Sequence, residues 1–278
     1  MSSFLQKHTR QPKLYIDLPS NGRHYPKGVL VDDSPTNLPV FGMTANDEIM
    51  IKTPDALFAG QATVEVIKNC IPNITDPWKM PTIDVDHCLI AIRMATHGNS
   101  LPLGTTCPHC DTQQDVDVNL NTLIEQSATK VFRDTVTIND LTFTLKPLDY
   151  RKQSDLQRRL YEAQRQLSSI PTNTPEDEKK KLITGLLSHS TKLQVETILS
   201  FVDKISDGSD EEANPEQIEE FLVSGDAVYY NQLRKTVEEI RKEWDSKLIP
   251  KNCDNEECGK EYKFAVTLDY ANFFGPRS

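Results

Sequence analysis

The chain has no long apolar run, and that shortage removes one class of function at once. A bilayer-spanning helix needs about 20 consecutive apolar residues, and no stretch of the 278 residues approaches that length. Residues 1–10 hold no apolar core of the kind a secretory signal peptide needs. Aromatic residues are scarce at 7% and mean hydropathy is −0.51, so much of the surface is solvated. Positive charge is in deficit. There are 41 Asp and Glu against 31 Lys and Arg, giving a net charge of −10 and a pI near 5.1. That balance argues against nonspecific binding to nucleic acid or to an anionic membrane, both of which favour basic surfaces. The run Lys179-Lys180-Lys181 reads as a solvated helix face rather than a nucleic-acid patch.

Catalytic signatures are missing too. The chain has no GxGxxG, no P-loop lysine motif, no GxSxG and no HExxH. Acidic residues are plentiful, but none stands in a context that would separate its pKa from a neighbour's, so no acid–base pair and no small-molecule substrate are assigned.

What the sequence does have is a pair of matched cysteine knuckles. The first is Cys107-Pro108-His109-Cys110; the second spans Cys253 to Cys258 and continues into Gly259-Lys260. Counted from the last cysteine of each, the sixth, eighth and tenth residues are apolar: Val116, Val118 and Leu120, then Phe264, Val266 and Leu268. Such alternation marks a half-buried strand. The chain therefore writes knuckle, short gap and amphipathic strand twice in one register. Two such halves make a zinc ribbon, with Cys107, Cys110, Cys253 and Cys258 around one structural Zn²⁺.

Other readings of the cysteines are weaker. No βαβ pattern supports a redox C-x-x-C, and four thiolates leave no open position for catalytic water. His109 could replace a cysteine but is expected to point away. Four thiolates on Zn²⁺ carry a formal charge near −2, so backbone N–H groups should face the sulfurs. Gly259 would permit close backbone approach, and Lys251, Lys260 and Lys263 are available cations. Cys70 and Cys88 sit in apolar runs and read as small core hydrophobes. A His87–Cys88 nucleophile is disfavoured, because helix neighbours face different ways. Reduced cysteine clusters fit the cytosol.

The fold class expected is α+β and predominantly helical, with a discontinuous zinc-ribbon-like β module and a large helical insertion. Residues 1–40 form a proline-containing arm with a turn at Asn21-Gly22 and too little periodicity for an element of its own. Residues 41–100 form a helical body. Thr53-Pro54-Asp55 looks like a helix start; another helix begins near Gln61; a third is capped by Thr82, carries the stripe Ile83, His87, Ile90 and Met94, and ends at Gly98. His87 reads as a satisfied core residue, and Asp84 and Asp86 suit the first turn through the helix dipole. Residues 101–148 with 249–278 form the β module. A hairpin over Val136–Ile138 and Leu141–Leu145 could extend its sheet. Residues 149–248 are the insertion: one charged helix from Asp149, a second capped by Thr174, a stripe over Val195, Ile198, Val202 and Ile205, a solvated acidic loop within 203–220, and a last helix from Asp226 with Leu233, Val237, Ile240 and Trp244 inward.

Several segments together resemble the phage T4-type baseplate hub and hub-assembly family. They are Leu18–Pro26, Met43–Glu48, Asp55–Gly60, Val66–Pro72 and, most densely, Asp84–Gly98, with the cysteine pairs where that family places a zinc ribbon. The resemblance implies a non-enzymatic structural or assembly protein of a contractile tail. Its partners would be other baseplate hub and tail proteins, with homo-oligomers compatible. Assembly would take place in the host cytoplasm, and the protein would either remain in the virion or leave. No family motif is recognised in the insertion. The arm residues Tyr15, Leu18, Pro19, Arg23, Tyr25 and Pro26 are candidates for partner contact; packing on their own domain is the alternative. Arg93 is a further candidate for a charge-assisted contact. A zinc-ribbon adaptor of some other complex is the competing function, and a thiol enzyme using Cys88 a third.

Overall fold

The structure is a computed structural model that describes residues 9–53, 60–170, 175–245 and 247–266. The chain divides into two units, residues 1–131 with 242–278 and residues 132–241.

In the first unit the arm has regular structure. Strand β1 (Pro12–Ile16) pairs antiparallel with β2 (Leu38–Phe41), with Leu14 opposite Val40 and Ile16 opposite Leu38. The expectation of an arm without its own element fails because β1's partner lies more than twenty residues away, beyond any local periodicity. Between the strands, Asn21 and Gly22 both take positive φ, and Arg23 N–H donates to the Ser20 carbonyl at 3.1 Å, closing the expected turn. Two helices follow, α1 (Ala45–Ile51) and α2 (Gln61–Cys70), then α3 (Thr82–His97). Thr44 and Asp47 form a reciprocal capping box at the start of α1. The helix start expected at Pro54 and Asp55 lies outside the described residues.

Helix α3 is the axis of this unit. A one-sided stripe was expected, but Val85, Cys88, Leu89, Ile90, Ala91 and Ile92 are all buried, while Ile83 and Met94 are only half-buried. A helix apolar all round must be surrounded, and the arm supplies part of that cover. At one end Asp84 accepts from Ser20 N–H at 2.9 Å and from Ser20 Oγ at 2.5 Å. At the other, Met43 N–H donates to Thr96 Oγ1 at 2.9 Å, and Gly42 lies so close that a Cβ there would sit 2.9 Å from the Ala95 carbonyl oxygen. One expectation is corrected: Pro81, not Thr82, holds the N-cap position and makes no side-chain cap bond. Asp84 stands in the first turn as expected, and it is also fully buried with its oxygens bonded to the arm. His87 is the satisfied core residue expected: its Nδ1 lies 2.6 Å from Ser127 Oγ, and burial lowers its pKa to about 4.

Strand β3 (Ser100–Thr106) pairs with β4 (Gln113–Asn119), and helix α4 (Leu120–Ala128) follows.

The second unit holds a four-stranded antiparallel sheet: β5 (Thr135–Ile138), β6 (Leu141–Leu145), β7 (Val202–Ser206) and β8 (Glu211–Glu212), in that order. Its helices are α5 (Tyr150–Ser168), α6 (Glu176–Ser200), α7 (Pro215–Ser224) and α8 (Ala227–Asp245); the chain re-enters the first unit within α8. The hairpin β5–β6 exists as expected but pairs with β7 instead of extending the ribbon. The stripe read through Val202 and Ile205 is not helical. Helix α6 stops at Ser200, and the β-branched Val202 and Ile205 bury themselves against β6. Within 203–220 the solvated loop expected is present at 207–210 and 213–214, exposed and outside helix and strand, and the stretch also contains β8 and the start of α7, which is capped by Asn214 with Pro215 at its first position. Thr174 lies outside the described residues. Leu233, Val237 and Ile240 of α8 are buried, and Tyr229 stacks on Phe221 at 5.2 Å.

Burial raises Asp84 from 3.8 to about 6, against the opposing effect of the Ser20 hydrogen bonds and the nearby Tyr25 hydroxyl. A carboxyl raised on folding adds stability that is complete below its unfolded pKa and is lost as pH rises through the folded value. Asp84→Asn keeps the Oδ1 acceptor and removes the charge. Relative to the parent, it should gain about 2–3 kcal/mol of stability between pH 4 and pH 7. His87 titrates with the opposite sign but is common to both proteins. Denaturant melts across that range check this, and parallel pH profiles would show that Asp84 is not raised.

Candidate metal centre

Both knuckles sit at the tips of β-hairpins. Cys107 and Cys110 lie between β3 and β4. Cys253 and Cys258 lie between β9 (Leu248–Asn252) and β10 (Glu261–Ala265), which pair antiparallel. Local hydrogen bonding repeats. Cys107 N–H donates to the Thr112 carbonyl and Cys253 N–H to the Lys260 carbonyl, each at 3.0 Å, closing the two loops. The residue after each second cysteine is left-handed, Asp111 at φ 56° and Gly259 at φ 54°. A Cβ on Gly259 would meet nothing within 4 Å, so glycine serves the backbone angle and not the close approach expected of it.

The hairpins bring all four cysteines together. Cys107 Sγ lies 4.0 Å from Cys258 Sγ and Cys110 Sγ lies 3.6 Å from Cys253 Sγ, with all four sulfurs within 4.8 Å of one another. A disulfide would need about 2 Å. A tetrahedral ion with metal–sulfur bonds of about 2.3 Å sets sulfurs about 3.8 Å apart. The donors therefore fit one tetrahedral cation. Among the described residues this is the group of His, Cys, Asp and Glu close enough to share a metal. His109 is exposed and outside it.

Donors surround the sulfurs as a dianionic centre requires. Cys110 Sγ donates to Thr112 Oγ1 at 3.3 Å, and that hydroxyl, followed by the Thr112 backbone N–H, lowers the Cys110 thiol to about 6. Cys253 is pushed up to about 11 by burial, while the Asn255 backbone N–H works against that. The expected cations contribute little: Lys251 pairs with Asp254 at 2.6 Å, and Lys260 and Lys263 are exposed.

Two polar residues at the centre escaped the sequence reading. Gln114 Nε2 donates to Cys253 Sγ at 2.8 Å, and Tyr262 Oη donates to Gln114 Oε1 at 3.4 Å. Each is the fourth residue after the last cysteine of its knuckle, in phase with the inward Val116 and Phe264. A glutamine on the apolar parity of a strand was the available signal.

The other thiols are packing groups. Cys70 and Cys88 are fully buried; burial pushes Cys70 up to about 12 and raises Cys88 well above an ordinary thiol. A buried neutral thiol is no nucleophile at neutral pH.

The arm residues do not act as one face. Tyr15 is 59% exposed, Arg23 and Pro26 are exposed and Pro19 is half-buried. Leu18 is 1% exposed and the Tyr25 hydroxyl is buried beside Asp84, so both serve the unit's own packing. Arg93, 2% exposed, is a core residue and offers no surface contact.

With the knuckles paired, comparison with known families is informative. The family model for the T4 bacteriophage base plate protein matches residues 42–275. The chain belongs to that family. Membership implies a structural role in the phage baseplate and partners among phage tail proteins. The matched range includes the insertion, where no motif was recognised, and begins after the arm segment 18–26 that contributed to the resemblance. No curated protein and no solved structure matches the chain. No helix among the described residues is long and apolar enough to cross a membrane.

Left-handed backbone costs an L-residue about 1–2 kcal/mol. Gly259→Ala should therefore lose about 1 kcal/mol of stability with no clash, and Gly259→Asn less, because Asn tolerates that angle. Equal losses in urea melts would mean that contacts, not backbone angle, set the requirement.

Proposed function

We propose that this chain is a non-enzymatic structural or assembly protein of the baseplate hub, acting through protein contacts on a zinc-stapled scaffold. The observation that carries the reading is the convergence of four thiols from two hairpins, in a chain of the T4 base plate family. Zn²⁺ held by Cys107, Cys110, Cys253 and Cys258 would be structural, because four protein ligands close the tetrahedron and leave no position for water or substrate. The absence of catalytic motifs and the acidic surface agree with protein partners rather than nucleic acid. Tyr15, Arg23 and Pro26 are the exposed arm residues available to such partners, other hub or tail proteins or a second copy of the chain. The setting is the host cytoplasm during assembly. A zinc adaptor of an unrelated complex would need a different partner set, and the family match favours the tail.

Purified protein should contain about one zinc per chain, and chelation should lower its melting temperature. Cys110→Ser and Cys258→Ser should each lose the metal, and phage carrying either should accumulate heads and unassembled tail parts by electron microscopy. Folded, reduced protein without zinc would remove the staple. Normal tails from both variants would remove its role in assembly.

A further inference from the structure

We propose that Gln114 is the positioning residue of this centre, holding the Cys253 sulfur toward the other three, and that Tyr262 braces its amide. The proposal rests on the zinc reading above.

Gln114 is 7% exposed on the inward face of β4, where the next two inward residues are Val116 and Val118. A primary amide buried among apolar groups costs free energy unless it is bonded. Here both ends are used. Nε2 donates to Cys253 Sγ at 2.8 Å, and Oε1 accepts from Tyr262 Oη at 3.4 Å, with Tyr262 6% exposed. The geometry crosses between the half-sites. Gln114 stands on the first hairpin; Cys253 and Tyr262 stand on the second. The two hairpins are therefore joined through a sulfur by groups that are not themselves ligands.

The direction of the amide matters. An amide N–H can only donate and its oxygen can only accept. A metal-bound sulfur can only accept, so it selects Nε2, and Oε1 is left to accept from Tyr262 Oη, which braces the amide in that direction. A flipped amide would aim its oxygen at Cys253 and repel the thiolate. The equivalent positions of the two knuckles thus hold a donor to sulfur and the group that braces it. Partners of this kind outside the ligand set typically change metal affinity about 10–100-fold.

The test uses the full chain. Zinc affinity is measured by competition with a chromophoric chelator, and the Co²⁺-loaded protein gives the sulfur-to-cobalt charge-transfer band. Gln114→Leu should bind zinc about 10–100-fold more weakly. Its band should move to longer wavelength, because loss of the hydrogen bond raises the energy of the sulfur lone pair. A merely structural role would not move the band. Tyr262→Phe should shift affinity and band the same way by less, and should add nothing in the Gln114→Leu background. Wild-type protein that binds neither metal removes the zinc reading and this proposal with it. Wild-type binding with an unshifted band and unchanged affinity in Gln114→Leu overturns this proposal alone. Should Gln114→Leu fail to fold, Tyr262→Phe, which removes one oxygen atom, decides: unchanged affinity and spectrum overturn the proposal.

Discussion

Four sulfur atoms meet across sequence separations of 143 and 151 residues, and their meeting joins the two chain segments of the first unit. Closing a loop of such length costs conformational entropy, but the cost rises only logarithmically, by about 0.6 kcal/mol for each doubling. A staple that holds a short insertion therefore holds a long one nearly as well. This is why residues 132–241 can form a compact unit with its own sheet and core between the two halves of a small metal centre. The free energy of binding a structural Zn²⁺, roughly 10 kcal/mol or more in small domains, exceeds that entropy.

The staple is not alone. Lys247 pairs with Asp86 on α3, Gln126 Nε2 donates to the Leu248 carbonyl at 3.2 Å, and Lys130 Nζ donates to the Trp244 carbonyl at 3.1 Å. These contacts tie the returning segment to α3 and α4 beside the hairpins. From the other direction, Ser20, Gly42 and Met43 fix the arm along α3. Helix α3 thus receives both ends of the described chain. Its residues 84 and 86, adjacent in parity and both acidic, serve the two different segments.

The parts legible in the sequence were those written locally. These are the knuckles, the strands through Val116 and Val118 and through Phe264, the Asn21-Gly22 turn and the apolar stripe of α8, whereas Leu120 opens α4, Val266 follows the end of β10 and Leu268 lies outside the described residues. Strands β3 and β9 were missed because each carries a strand breaker, Pro102 with Gly104 in one and Pro250 in the other. Two-stranded ribbons have only edge strands, and edges tolerate proline. Strand β7 was misread because Val195, Ile198, Val202 and Ile205 keep helical spacing across the end of α6; only the pairing with β6 decides the matter. The partner of Asp84 was not legible for a similar reason, since Ser20 lies 64 residues away. Gln114 and Tyr262 occupied equivalent positions in plain view, but their relation is a contact between hairpins.

Four cysteine ligands around one cation would leave no open coordination position. The remaining thiols are buried and neutral, and the buried acid Asp84 is occupied by the arm. What the ribbon does supply is a fixed join between the middle and the end of the chain, independent of what the inserted unit does. The cysteine cluster joins residues 107–110 to residues 253–258, one segment on either side of the inserted residues 132–241. The unit of residues 132–241 keeps its own sheet and core.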